Sequence, residues 1–401
     1  MTVVLPTNRD ENWRYANLRP LAKARADAAL TDAGAHASIA LPPPLPGYER
    51  WVFVDGQYAA KLSAPAAQSH ATLLNSRDAG EEFTAMLDAS IASEGPDFAL
   101  ARINGARGSE VLHIAPPDGA RVNIELAFVA SATAASGTSY PRVQVHAGRN
   151  AQVRIVERHQ SAGSGDSAVN AAFDLALRSD ASIDHCRLQN LGDVASGFDT
   201  LTAHVGDRAT YRLRTVTLGG LTSRSTILVK LAGRAARCEL TAASIANGIQ
   251  THDMFAEIDH AGADTLTREL YRGIATDRGK LGFNGKMVVR ESAHGADSEQ
   301  SLKSLLTGNG AEASMRPQLE IHTDRVRAVH GATTGKLDEQ MLFYMLSRGI
   351  DRRTAQTLLQ WAFIEDAVSR VDCVELRAEI ETLIAAQLNE VSALEGLLGK
   401  P

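Results

Sequence analysis

Gly148-x-x-Ala151-x-Val153, Arg178-x-x-Ala181-x-Ile183, Gly206-x-x-Ala209-x-Tyr211 and Gly233-x-x-Ala236-x-Cys238 are four copies of one short pattern. Their first positions, 148, 178, 206 and 233, lie 30, 28 and 27 residues apart, and worn copies follow near Ala261 and Gly308. A turn residue, a small residue tucked under the next layer and an apolar strand residue, recurring at a near-constant interval, are what a stacked solenoid requires. From about Phe98 to Val329 the chain reads as short strands, several of them alternating, such as Val122-Asn-Ile-Glu-Leu-Ala-Phe128 and Tyr211-Arg-Leu-Arg-Thr-Val-Thr-Leu218, with no long helix between them. The expected fold class is therefore mainly β, with a parallel β-helix core. The alternative is an antiparallel sandwich whose turns happen to repeat.

Downstream the period changes. Leu319, Ile321 and Thr323 alternate with Glu320, His322 and Asp324, which predicts a half-buried strand. Asp338 can cap a helix whose Met341, Leu342, Met345 and Leu346 recur at three and four residues, with Gly349 as its left-handed end. Between them lies His330-Gly331-Ala332-Thr333-Thr334-Gly335, whose two glycines predict an irregular junction holding one imidazole between strand and helix. On these residues alone, such a histidine is more often a hydrogen-bonded structural residue than a ligand.

These same residues carry a resemblance. Pro317-x-Leu-Glu-Ile321, Asp324-x-Val326, His330-Gly-Ala-Thr-x-Gly-x-Leu-Asp338, Leu342-Phe-Tyr344 and Ser347-Arg-Gly-Ile350 resemble the C-terminal signature of the SufB/SufD family, scaffolds of the SUF iron-sulfur cluster assembly system. Gly331 is similar to the SufD-type branch, because SufB-type chains usually carry glutamate after the histidine. Tyr140-Pro-Arg-Val-Gln-Val145 with Val156-Glu-Arg-His159, Arg268-Glu-Leu-Tyr-Arg-Gly273 and Phe283-Asn-Gly285 stand in the family's order, so the resemblance covers nearly the whole chain.

The resemblance implies a right-handed β-helix core and a cluster-assembly interface at His330, Gly331 and Thr333, with His330 as an iron ligand through its neutral ring nitrogen. It also implies a transient iron-sulfur cluster shared with a SufB-like homologous chain, and a SufC-like ABC ATPase docked on the C-terminal helices. The chain would then be a scaffold that is not itself an enzyme, supporting de novo cluster assembly and iron acquisition. Many relatives have Cys-Ser-His where this chain has Ala328-Val329-His330, so sulfur ligation is expected from the partner. A homodimer acting mainly in iron supply is a second reading, since an edge that pairs with a homologue can pair with itself. A third is a solenoid enzyme acting on polysaccharide or acyl groups, which would need clustered carboxylates on one face.

Outward from this centre, three regions are expected: residues 1–97 as an N-terminal mainly helical module with a Pro-rich connector, 98–335 as the β-helix core, and 336–401 as a C-terminal helical domain. Asn8 to Leu30 reads as one or two helices with Trp13, Leu18, Leu21 and Ala28 buried, and Glu11-Asn-Trp-Arg-Tyr-Ala-Asn-Leu18 is similar to an aromatic segment near the start of SufD-type chains. Leu41-Pro-Pro-Pro-Leu-Pro-Gly47 is a connector, Asp55-Gly56 a hairpin turn, and Glu81 to Ile91 helical. Past Gly349, Asp351 caps a helix burying Ala355, Leu358, Leu359, Ala362 and Phe363; Leu376, Ile380, Leu383, Leu388, Val391 and Leu394 stripe a last one.

The net charge of −6 and pI near 6.1 argue against nucleic acid as a partner. No run of eighteen apolar residues and no basic-then-apolar start is found, so no membrane association is expected. Cys186, Cys238 and Cys373 fit neither a disulfide framework nor a Cys-x-x-Cys site, and a reducing cytoplasm is the simplest home. The Gly-x-x-x-x-Gly-Lys-Ser/Thr loop of nucleotide sites is missing, so ATP hydrolysis belongs to the partner. Glu320, His322 and Asp324 could bind a cation, although a solvated strand face is the simpler reading. His294, Asp297, Glu299 and Gln300 form a polar stretch that reads equally as a rung loop or a loose segment.

Overall fold

The computed structural model describes residues 4–23, 39–75, 95–131 and 137–388. Ala28, the expected helix around Glu81 to Ile91, and Val391 and Leu394 lie outside them. The chain winds through two sheets. In the first, the strands lie side by side in the order Gln57–Tyr58, Glu49–Val54, Arg121–Ala130, Gln152–Ser161, Ser182–Asn190, Thr210–Thr217, Arg237–Ala246, Leu266–Ala275, Ala296–Leu306 and Val326–Gly335. The second sheet runs Ala71–Asn75, Glu110–Ile114, Arg142–Ala147, Ala168–Leu177, Ser196–Val205, Thr222–Leu231, Thr251–His260, Lys280–Val289 and Glu312–Ile321.

From Ser182 onward every neighbouring pair is parallel and in unbroken register, for example Thr210↔Arg237 and Arg237↔Leu266. The result is a parallel β-solenoid of about seven turns. Its parallel pairing rules out the sandwich. Strands from the region before residue 98 belong to both sheets, with the Asp55-Gly56 turn joining the antiparallel pair Phe53↔Tyr58.

The repeat is the corner of each coil. Ala151, Ala181, Ala209 and Ala236 are fully enclosed, because a larger side chain has no room under the neighbouring turn. The residue before each alanine, Asn150, Asp180, Arg208 or Ala235, is the left-handed one, at φ 54–62°. Its N–H donates to the corresponding turn of the next coil: Asp180 to the Asp207 carbonyl and Arg208 to that of Arg234, both at 2.8 Å. The repeat's glycines serve another purpose. A Cβ on Gly206 would lie 2.7 Å from the Leu177 carbonyl oxygen, and one on Gly233 only 2.0 Å from the Asp207 nitrogen. They are there for the close approach of stacked backbones.

Inside the solenoid, Ile155, Phe173, Leu213, Leu240, Phe283 and Leu302 belong to one continuous apolar core. The outer faces are covered too. On the second sheet, Trp13, Leu21 and Leu100 pack over Phe198, and the Arg224 guanidinium stacks on Trp13 at 4.2 Å. Trp13 is buried as expected; it sits in the 3-10 turn Glu11–Trp13, and a helix begins at Arg19 and is described as far as Lys23. Leu100 comes from a nine-residue helix, Ala99–Arg107, in a stretch whose pattern suggested strand.

The C-terminal helices are Glu339–Ser347, Arg352–Val368 and Val374–Gln387, joined to the last strand by only Lys336, Leu337 and Asp338. Asp338 accepts from the Gln340 and Met341 amides, Asp351 from that of Thr354, and Gly349 is left-handed at φ 84°, so all three ends form as the pattern requires. The second and third helices fold back along the first sheet instead of plugging its end. Trp361, Ile364, Val368, Leu376 and Ile380 pack on Val156, Cys186, Val216 and Ile245. The buried face of the second helix thus centres on Trp361 and Ile364, while Ala362 is exposed; the wide sheet takes a face rotated from the expected one. Ion pairs Arg158–Glu379 at 2.9 Å and Arg272–Asp366 at 2.6 Å frame the contact.

Candidate functional site at the open end

Each sheet ends on a strand with one free edge, Glu312–Ile321 in the second and Val326–Gly335 in the first. Both expose a row of unpaired backbone donors and acceptors, the usual template for strand addition. Pro317 lies on the first of these, where its missing N–H costs no ladder bond on the open side. The apolar side chains Ile321 and Val329 stay uncovered, at 41% and 52% exposure.

His330 is in the middle of Val326–Gly335, not at a strand-to-helix junction, and it is exposed. The two glycines that suggested a break do not have the left-handed φ of a turn, and a Cβ on either Gly331 or Gly335 would meet nothing within 4 Å. The strand runs straight through them because an edge has no covering layer to enforce side-chain packing. Thr333 is on the same strand and also exposed. His330 is in register with Gln300 of the preceding coil, and Ala332 with Leu302, a fully buried member of the solenoid core. Side chains alternate along a strand, so His330 shares with Ala332 the face turned toward the interior axis.

Gln300 is the residue that sequence reasoning left undecided. Ala296–Leu306 is a regular strand, although seven of its eleven residues are polar or charged, and Gln300 is buried within it. Gln300 Nε2 donates to Glu269 Oε2 at 2.6 Å, and Glu269 is in register with Gln300 one coil further in. Burial pushes the Glu269 carboxyl up to about 8. The remaining polar residues of that stretch are tied elsewhere: Asp297 pairs with Arg268 at 2.8 Å, and His294 Nδ1 meets Thr323 Oγ1 at 3.0 Å.

Glu320 and His322 do meet, at 2.9 Å, but Lys286 sits 3.2 Å from Glu320, and Asp324 lies beyond the strand end. No group of three or more histidine, cysteine or acidic side chains is arranged to hold a metal among the described residues. Of the cysteines, Cys186 and Cys373 share the cluster beneath the C-terminal helices, and Cys238 is elsewhere. Cys186 faces the C-terminal helices and Cys238 the solenoid interior, and burial pushes the Cys186 thiol up to about 11 and that of Cys238 well up. Both are neutral thiols near pH 7, unlike thiolate ligands. No described helix is long and apolar enough to cross a membrane.

Next to this edge, the helix Glu339–Ser347 buries only Leu342, leaving Met341, Phe343 and Tyr344 at 50%, 73% and 54% exposure. The sequence from Phe128 to Phe363, which includes the edge strands and this helix, matches the family model for the SUF system FeS cluster assembly, SufBD core domain. The chain belongs to the SufB/SufD family. It is similar to the iron-sulfur cluster assembly protein SufD of Escherichia coli, at 25% identity over 96% of this chain and 89% of that protein. A SufBD family protein of Mycobacterium leprae is 26% identical over 98% of this chain and 92% of its own length. A SufD of Plasmodium berghei aligns at 25% identity over 60% of this chain, but 18% of its own length. The chain is thus of SufD type, with a role in iron-sulfur cluster assembly.

Proposed function

We propose that this SufD-type chain is a non-catalytic scaffold subunit on which a SufB-like homologous chain adds its own edge strands to Glu312–Ile321 and Val326–Gly335, continuing both sheets across the interface. The observation that carries this reading is the exposed His330 at the centre of the last strand, whose outer edge is open. Gly331 beside it has no side chain, so a partner backbone or a nascent cluster can come close. His330 would supply neutral imidazole to iron, with Gly331 and Thr333 completing this side of the interface, and the transient cluster would take its thiolates from the partner. Iron acquisition would occur at the same edge.

The uncovered Met341, Phe343 and Tyr344 fit docking of a SufC-like ABC ATPase, which would supply the ATP hydrolysis. An enzyme reading finds little to work with. The charged cleft of about 450 Å³ on the first sheet is lined by Glu239, Glu269, Glu299 and Asp372; an arginine engages each of them except Glu269, as in Arg214–Asp372 at 2.9 Å, and the Glu269 carboxyl bonds inward to Gln300. A cytoplasmic setting goes with this reading.

The test is anaerobic co-purification of the chain from its own cells, followed by reconstitution with ferrous iron and sulfide. A homologous solenoid chain and an ATPase should be recovered together, and His330→Ala should abolish cluster formation while leaving the complex assembled. Normal cluster yield from His330→Ala would remove the role given to the imidazole. Recovery only as a homodimer would favour the iron-supply reading.

A further inference from the structure

The motifs Arg268-Glu-Leu-Tyr-Arg-Gly273 and Phe283-Asn-Gly285 meet in space directly behind His330. Glu269 and Tyr271 come from one sheet, Phe283 and Gly285 from the other, and the Tyr271 and Phe283 rings lie 4.7 Å apart. Above this pair, Gly285 makes room: a Cβ there would be 2.6 Å from Glu269 Oε2 and 2.8 Å from Gln300 Nε2. The space a larger residue would fill is occupied by a carboxyl and a carboxamide. Both are 2% exposed, and no cation pairs with Glu269 among the described residues.

Burying such groups is costly unless their hydrogen bonds are made. Here only one is. Glu269 Oε1 and Gln300 Oε1 have no partner among the described residues. The Gln300 nitrogen points inward to Glu269, which leaves the amide oxygen as an unused acceptor on the residue in register with His330. Adjacent strands are about 4.8 Å apart, so a small rotation of the exposed imidazole brings a ring N–H within reach of that oxygen. An imidazole that ligates a metal generally donates its other ring N–H to such an acceptor, which selects the tautomer and orients the ring.

The geometry points to Gln300 as a positioning residue for His330, its amide oxygen accepting the imidazole N–H while Glu269 holds the amide from behind. This rests on the reading of His330 as an iron ligand, and it extends that reading inward along the solenoid axis. Glu269 suits the task because its Oε2 accepts from the Gln300 nitrogen and so fixes which way the amide points. Gln300→Leu removes the acceptor, and Glu269→Gln keeps the support.

The test is proton NMR of the full-length chain labelled with nitrogen-15 at histidine. An exposed imidazole N–H exchanges with water too fast to be seen, whereas a hydrogen-bonded one gives a signal. A ring N–H signal lost in His330→Ala, lost in Gln300→Leu and kept in Glu269→Gln would establish the arrangement. No His330 ring signal in the wild-type chain, or one that persists in Gln300→Leu, would overturn it. Should the leucine variant fail to fold, Gln300→Met, closer in shape, makes the same comparison. Ferrous iron titration separates this inference from the functional reading: Gln300→Met should weaken binding at His330 roughly 10-fold. If His330→Ala binds iron as the wild type does, the ligand role fails while the ring N–H result stands on its own.

Discussion

The middle coils and the last coil are made of the same strand pairs and end in opposite conditions. Around Tyr211 and Leu213 both faces are covered and both edges paired, so every side chain is fixed by a neighbouring coil. On Val326–Gly335 the same geometry runs on with one edge and much of its surface bare, and small residues, Ala328 and Ala332, flank His330 on the inward face while Gly331 lies on the other. Covered strands are chosen for packing, and open ones for what can approach them. A glycine therefore means two things in this chain: at Gly233 it lets stacked backbones touch, and at Gly331 it leaves space unfilled.

That contrast is most directly broken by Gly233→Val. Its Cβ has no space beside the Asp207 nitrogen, and overpacking a backbone contact should cost about 3 kcal/mol or more, seen as a large drop in urea midpoint. An unchanged midpoint would mean that the coils separate easily.

A pH series on Glu269→Gln comes next. The Glu269 pKa is raised, so the folded chain keeps a proton that the unfolded chain releases near pH 4.3. Stability from this group is fully present below that point and is lost as pH rises through about 8. The glutamine variant should match the wild type near pH 4 and be more stable by a few kcal/mol above pH 8, measured by denaturation at each pH. Parallel curves would show that the carboxyl is not enclosed.

At the open edge, Val329→Lys should leave the unfolding midpoint alone and weaken association with the homologous partner about 10-fold, which is about 1.4 kcal/mol. Analytical ultracentrifugation of the mixed chains reads this, and undiminished affinity would place the interface elsewhere. Gly331→Ala should have the smallest effect, within about 0.5 kcal/mol on stability, because nothing lies near the added methyl. A loss comparable with that of Gly233→Val would erase the distinction.

The covered part of the fold was legible because its constraints repeat. An alanine with no room to grow, at positions 151, 181, 209 and 236, recurs at the interval of a coil, and helix caps such as Asp338 and Asp351 act through local hydrogen bonds. Three things escaped. Ala296–Leu306 has no apolar alternation, since Ser298, Gln300 and Ser304 face inward among polar neighbours instead of oil. The straight path through Gly331 could not be told from a turn, because glycine permits both. The resemblance picked out His330, but Glu269 and Gln300 are 31 residues apart in the chain and become neighbours only through the coil register. Within its motif, Glu269 looks like any charged residue of a strand.

Three residues connect the His330 strand to the exposed helix, and Leu337 among them is packed against the cluster beneath the C-terminal helices. From Gly335 to Glu339 such a tether reaches at most about 14 Å. The helix therefore has a short leash. Any force that carries it farther must either peel the last strand from Ala296–Leu306, hydrogen bond by hydrogen bond, or carry the whole solenoid with it. Mechanical work delivered to Phe343 and Tyr344 would arrive at the imidazole with little slack to absorb it.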